Sequence, residues 1–352
     1  MPRHVAPHSG IRFPPGLHAN PQRARGNRSD RMASAPNRMR LAVACVLGTS
    51  MLVLPADASA EPVGVFDDLA RIWSEAVDLE RTSWDLDESE DGHSYELAIE
   101  AAGRFEVVSE WLDAATTPDI EPYRHAYWRT ARAHWLAADS LELADRDRRR
   151  EHLSRAIEFT DRGISVDPDC AACMLWKFNA MGRRLQIDGI FSSVRKVRTM
   201  ARLLDDGIAL QPDFREGERS STLGNLHYVS AVFYRVLPDW FWLKWIVGVR
   251  GDKQRALGHA QTALALHESR IDYRIEVGSQ LLCLGATEKD PKRLTEGRQA
   301  LAEASTIPPR NLDDKKEIAA AHVMIAAPKK ACSYAGAEWI EIDEGNAISA
   351  IQ

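Results

Sequence analysis

Cys170-Ala171-Ala172-Cys173 is the sharpest chemical motif in the chain. Asp169 stands ahead of it as a candidate N-cap, so both thiols fall in the first turn of a helix, where the helix dipole favours thiolate. Three chemistries fit this spacing. A local disulfide is feasible, because i and i+3 in a first turn lie near the allowed separation. Two reduced thiols buried against the preceding helix fit as well. A redox-active pair is the third, although such motifs normally accompany a sheet, which this sequence lacks. Zinc wants four ligands and no second pair follows at suitable spacing. Haem attachment needs His after the second Cys, where Met174 stands. Cys283 and Cys332 are single and pair only if the C-terminal tail folds back on the last hairpin.

Other reactive residue types form no constellation. The histidines match no metal-ligand spacing, no Ser sits in a G-x-S-x-G elbow, and no glycine-rich phosphate loop follows a strand. Asp205-Asp206 and Asp313-Asp314 lie beside basic residues on helix surfaces and read as solvated faces. Arg183-Arg184 and Arg195-Lys196-Arg198 could clamp a carboxylate, or simply balance the acidic surface. No catalytic residue, metal or cofactor is expected. The densest recognition chemistry is aromatic: Trp240, Trp242 and Trp245 are three of the ten tryptophans in six residues. Pro238 and Gly248 prevent one continuous helix there, and the run is too short and too polar to span a bilayer. These rings must bury against the rest of the fold, contact a partner or ligand, or lie at a membrane interface. If there is a cleft, its expected lining is Trp240, Trp242 and Trp245 with Trp176 and Tyr234.

The elements that must position these groups are helices. Val65–Trp84 and His93–Ala115 place apolar residues at helical spacing, for example Phe66, Leu69, Ile72, Trp73 and Val77. The acidic run Asp85–Asp91 separates them. Glu121-Pro122 opens a third helix that runs to Ala144, and the charged run Asp145–Arg150 marks the next turn. No stretch alternates as a strand. From there the pattern repeats: Ala156, Gly163, Ile164, Val166 and Pro168 recur in type as Met200, Gly207, Ile208, Leu210 and Pro212. This is how the second helix of a tetratricopeptide (TPR) hairpin closes. Gly182, Gly224 and Gly278 fall at the small position of first helices, and Met200, Ala256 and Gly297 at that of second helices. Small residues sit where two helix backbones approach closely. Closing positions Pro168, Pro212, Glu268 and Pro309 are 44, 56 and 41 apart, against about 34 in a regular unit. The longest interval holds twenty extra residues between Gly224 and Ala256, and the aromatic run is among them. The expected fold class is all-α, an α-α superhelix (solenoid) of divergent TPR-like hairpins.

Charge and the N-terminus bound the setting. Residues 1–60 hold eight Arg, no Lys and two Asp, which leaves −12 on the rest of a chain whose total is −6. An acidic body argues against nucleic acid, whose binding needs Lys and Arg to neutralise phosphates. Arg38-Met39-Arg40, the apolar run Leu41–Pro55 and Ala58-Ser59-Ala60 read as a secretory signal peptide, with cleavage after Ala60. Cys45 after Ala42-Val43-Ala44 is a weak lipidation-like pattern, so a lipoprotein or anchored form is the alternative. The expected organisation is residues 1–60 as extension and signal peptide, 61–117 as a helical cap, 118–330 as the repeat domain and 331–352 as a tail.

Trp128-Arg129-Thr130-Ala131-Arg132-Ala133, the stretch Ala156–Trp176 with its DPDCAACMLW ending, and Gly251-Asp252-Lys253-Gln254-Arg255-Ala256-Leu257 carry a resemblance. Over roughly residues 120–325 the chain resembles the T component of tripartite (TRAP) transporters (TatT-like proteins) and the related eukaryotic regulator of microtubule dynamics family. An exported chain fits the bacterial family. The resemblance implies a non-enzymatic periplasmic solenoid that meets a protein partner, a substrate-binding protein, and holds a small, partly apolar ligand; a small organic acid is the ligand that the basic cluster would suit. A second copy of the chain, giving a homo-oligomer, is a further candidate partner. The rivals are a structural scaffold of an envelope assembly and a CxxC thiol-redox protein.

Overall fold

The computed structural model describes residues 63–85, 94–115, 123–188, 194–216, 220–239, 244–245, 248–310 and 312–336. The signal-peptide stretch, most of the acidic run after Asp85, Gly189, Trp240, Trp242 and the tail beyond Gly336 lie outside them. Eleven α-helices are described, all within one compact unit that begins at Ser59. They are α1 (Val63–Asp85), α2 (Ser94–Ala114), α3 (Ala126–Asp139, entered through a 3-10 turn at Tyr123–His125), α4 (Arg146–Val166), α5 (Ala171–Asp188) and α6 (Val194–Ala209). Then come α7 (Thr222–Val236), α8 (Lys253–Leu266), α9 (Ile271–Glu288), α10 (Pro291–Ala304) and α11 (Leu312–Ala326), closed by a 3-10 turn at Pro328–Cys332. The described strand structure is a two-residue antiparallel ladder, Arg215–Glu216 with Ser220–Ser221.

Each helix packs on the next, and the odd-numbered helices also touch in succession: α1 on α3, α3 on α5, α5 on α7, α7 on α9 and α9 on α11. Among the described residues, even-numbered helices make no comparable contact with each other. Helices closer together on one side make an array curve toward that side, so the odd-numbered helices line its inner face. The core is accordingly a string of clusters rather than one ball. Trp128, Leu153 and Phe159 centre one between α1 and α5. Leu175, Phe178, Leu204 and Phe233 centre the next. Ile271, Leu282, Leu301 and Met324 centre the last. The hairpins α5/α6, α7/α8 and α9/α10 are the pairs that the small-residue positions predict.

The last hairpin shows why small residues are needed. A Cβ on Gly278 would lie 2.6 Å from Leu301, and one on Gly297 would lie 2.8 Å from the Leu282 backbone nitrogen. The two helices interlock at these points. Gly297→Ala is expected to destabilise by about 1–2 kcal/mol, because forcing the backbones apart outweighs the gain in helix propensity. A urea midpoint equal to or above that of the wild type would contradict this close approach.

Local stops follow the chain. Ser221 Oγ accepts from the Gly224 amide, Asp252 from Arg255, and Asp290 from Lys292 and Arg293, so three helices begin on side-chain caps. Lys289 ends α9 in the left-handed conformation. Two boundaries depart from the sequence reading. α3 stops at Asp139, where Ser140 Oγ donates to the Leu136 carbonyl, instead of continuing towards Ala144. The charged run Asp145–Arg150 is the first turn of α4, and Arg149 turns inward to donate to the Ala138 carbonyl at 3.1 Å. The long insertion is pinched at its base: Gly251 donates to the Pro238 carbonyl (3.0 Å) and Asp252 to that of Tyr234 (3.0 Å). Any side chain at Gly251 would run into the Leu237 carbonyl. The insertion thus leaves the α7/α8 pairing intact.

Candidate functional site

Of the five aromatic residues expected to share a cleft, the described Trp176 and Tyr234 lie in different core clusters. Trp176 is buried in the first cluster, edge-on to Trp135 at 5.6 Å. Tyr234 is buried in the second, edge-on to Phe233 and beneath the Arg255 guanidinium at 4.0 Å. Trp245 is 85% exposed. Trp240 and Trp242 lie outside the described residues. Cys170 and Cys173 are disulfide-bonded. Helix α5 starts at Ala171, too late for an Asp169 cap, and the Cys173 amide donates to Cys170 Sγ at 3.2 Å instead. Cys173 is buried against Gly163 of α4. Cys283 and Cys332 are also bonded, which brings the start of the tail onto α9. Ala331 and Tyr334 are fully buried there.

Four polar groupings that no motif announced occupy the interior. The first spans α1 and α3. Arg132 reaches both oxygens of the buried Glu80 at 2.6 Å, and Arg129 adds a third bond at 2.6 Å. The two guanidiniums lie 4.7 and 5.0 Å from the Trp128 ring, a cation–π arrangement in a dry site. The second spans α7, α9 and the closing turn. Arg235 and Glu276, both side chains fully buried, pair at 2.7 Å, and Arg235 also donates to the carbonyls of Ala331 and Tyr334. Their residue types are those of a solvated helix face, and only partners on other helices make them interior.

The third grouping is a pair of histidine contacts. His134 and His152 place their Nδ1 atoms 3.2 Å apart, with Glu106 on His134 and Tyr95 on His152. His227 and His259 do the same at 2.9 Å between α7 and α8. Burial, then the partner imidazole, pushes His152 and His259 down to about 4. The unfolded chain therefore binds protons first as pH falls. This contribution to stability is complete above the ordinary histidine value of about 6.5 and is lost as pH drops towards 4. Glu106, held low by its hydrogen bond to His134, acts in the same direction at lower pH. Stability, followed as melting temperature, is expected to fall steadily between pH 7 and pH 4.5, by on the order of 1 kcal/mol per pair after solvent screening. A flat profile, or the same slope in a His152→Phe, His259→Phe chain, would contradict this assignment.

The fourth grouping is Ser221–His267, Oγ to Nε2 at 2.8 Å. Both residues are buried, and the serine oxygen is already the N-cap of α7. A nucleophile must be reachable and near its target, so this pair works as a cap. Among the described residues no group of three or more His, Cys, Asp or Glu is placed to hold a metal ion. No described helix is long and apolar enough to cross a membrane.

The partly buried charges on the odd-numbered helices are already paired: Arg129 with Glu80 (2.6 Å), Arg183 with Asp139 (3.0 Å) and Asp272 with Arg270 (2.5 Å).

Comparison with known proteins returned two similarities. No curated protein matches the chain. The crystal structure of a thermophilic TPR protein from Thermus thermophilus is similar at 16% identity, covering 70% of this chain and 99% of that one with a TM-score of 0.43. Residues 92–233, from just before α2 into α7, match the family described as regulator of microtubule dynamics protein 1-3. The chain is an all-α array of TPR-like helical hairpins, similar over that stretch to the microtubule-dynamics regulators.

Proposed function

We propose that this chain is an exported, non-enzymatic binding module that holds a protein partner along the face of its odd-numbered helices. The observation that carries this is the succession of odd-helix contacts, which marks one side of the array as its inner face. Stacked hairpins of this kind act through extended concave surfaces. Export is supported by the cysteines: Cys170–Cys173 and Cys283–Cys332 are both bonded, as suits an oxidising compartment. It is supported as well by the basic, apolar and small-residue order ahead of Glu61. The resemblance to TatT-like proteins makes a periplasmic substrate-binding protein the partner of choice, with a small organic acid as its cargo. Export tests the setting first. The isolated protein should begin at Glu61 and yield both disulfides in non-reducing peptide maps. Co-purification from the periplasmic fraction, repeated with the partner as bait, should return one exported protein in stoichiometric amount. A chain found in the cytosol with four free thiols, or one that elutes alone at its own mass, would overturn the reading.

A further inference from the structure

The last hairpin has an apolar groove at its open end. Where α9 hands over to α10 and α11 meets the closing turn, Gly285, Ala286, Leu294, Ala327 and Pro328 line a hollow of about 540 Å³. Two exposed lysines, Lys289 and Lys329, belong to the same lining. Cations close by are paired, Lys292 with Glu296 (3.7 Å) and Arg293 with Glu288 (3.0 Å). Lys289 and Lys329 have no carboxylate partner among the described residues. Lys289 moreover sits at φ 58, left-handed backbone in which only glycine escapes a steric penalty. An ammonium group thus stands beside the groove at a conformational cost. The end of a helical array needs a cover, because no further hairpin shelters its apolar side.

The sequence that follows has the matching chemistry. Residues 337–352 carry four carboxylates, Glu338, Glu341, Asp343 and Glu344, and no Lys or Arg. Trp339, Ile340 and Ile342 are interleaved with them. The route is short. Cys332 is bonded to Cys283 of α9, and the Tyr334 carbonyl accepts from Arg235, the partner of Glu276. From Glu276 to Lys289 is ~20 Å of helix at about 1.5 Å per residue. About six extended residues cover that distance. Gly336, at φ 109, supplies a conformation suited to reversing the chain. The stretch that can reach the groove is therefore the one that is both apolar and acidic.

We infer that this groove seats the chain's own segment Trp339–Glu344. Its Trp and Ile side chains fill the hollow, and Lys289 and Lys329 pair with Glu341, Asp343 or Glu344. The segment caps the array in place of another hairpin. This contact goes beyond the binding-module reading and does not depend on which partner the inner face holds.

The test is zero-length carbodiimide crosslinking of the intact protein, mixed with an equal amount of isotope-labelled chain and read by peptide mass spectrometry. Amide links from Lys289 or Lys329 to Glu341, Asp343 or Glu344 are expected within single chains. Ile340→Ser with Ile342→Ser keeps every carboxylate and removes the apolar contact, so the link yield should fall about fivefold or more. Hydrogen exchange over Ala286–Leu294 should quicken in the same variant. Absence of these links, or an unchanged yield in the double variant, overturns the inference. Links found only between labelled and unlabelled chains overturn it too, and seat a second copy in the groove. Shielding of both lysines from acetylation that appears only with the co-purified partner would overturn it in favour of that partner.

Discussion

Arg235→Ala is expected to cost about 3–5 kcal/mol of stability, one of the two largest effects in the molecule, because it strands Glu276 without a counter-charge in a dry interior. Both side chains are fully buried, so no water can replace the guanidinium. The loss reaches further than one ion pair. Arg235 also satisfies the carbonyls of Ala331 and Tyr334, which hold the closing turn under α9. Two effects should therefore appear together: a lower urea midpoint, and faster proteolysis near Tyr334. The control is Arg235→Met with Glu276→Leu. Replacing a whole buried pair by apolar groups is often neutral or stabilising, so the double change should recover most of the midpoint but not the anchoring of the turn. A single change costing under about 1 kcal/mol would mean the pair is solvated, contrary to its burial.

Glu80→Ala should have an effect of similar size, again about 3–5 kcal/mol, for the opposite charge reason. It leaves Arg129 and Arg132 on either side of Trp128 with no carboxylate between them. Glu80 reaches α3 from α1, so the change should loosen the first helix selectively. Near-ultraviolet circular dichroism and tryptophan emission should report this, since Trp73 packs edge-on to Phe105 and Tyr123 beside the site. Glu80→Gln keeps acceptor geometry on one oxygen and should lose less. Equal losses for the two variants would show that charge alone, rather than shape, holds α1 in place.

Helix type and hairpin pairing were legible because they rest on spacing. Gly278, Gly297 and the small residue Ala256 mark helix crossings, and terminating residues such as Pro168 and Pro212 follow their helices within a few positions. The insertion was legible as a length anomaly, but its pinched base was not, since that depends on backbone bonds between Gly251 and Pro238. Buried charges were the main blind spot. Arg235, Glu276 and Glu80 are ordinary surface residue types on helices, and only their partners on other helices make them interior. The α4 start misled for the same reason: Arg149 looks like part of a solvated run, yet it closes the end of α3. The closing turn follows no repeat because it is used once. Its docking depends on Cys332 meeting Cys283 across 49 residues of sequence. Trp176 and Tyr234, grouped in the sequence with the aromatic insertion, each fill a different core cluster.

The most direct test of binding through the inner face is photo-crosslinking in the exported, folded chain. A photoreactive residue would replace Gln186 or Val229 on odd-numbered helices, and Glu158, Arg202 or Thr262 on even-numbered ones. The account predicts one discrete adduct, the same partner from both odd-helix positions, and none from the even-helix positions. Adducts confined to α4, α6 and α8 would contradict it, as would none at any position in cells where the partner co-purifies.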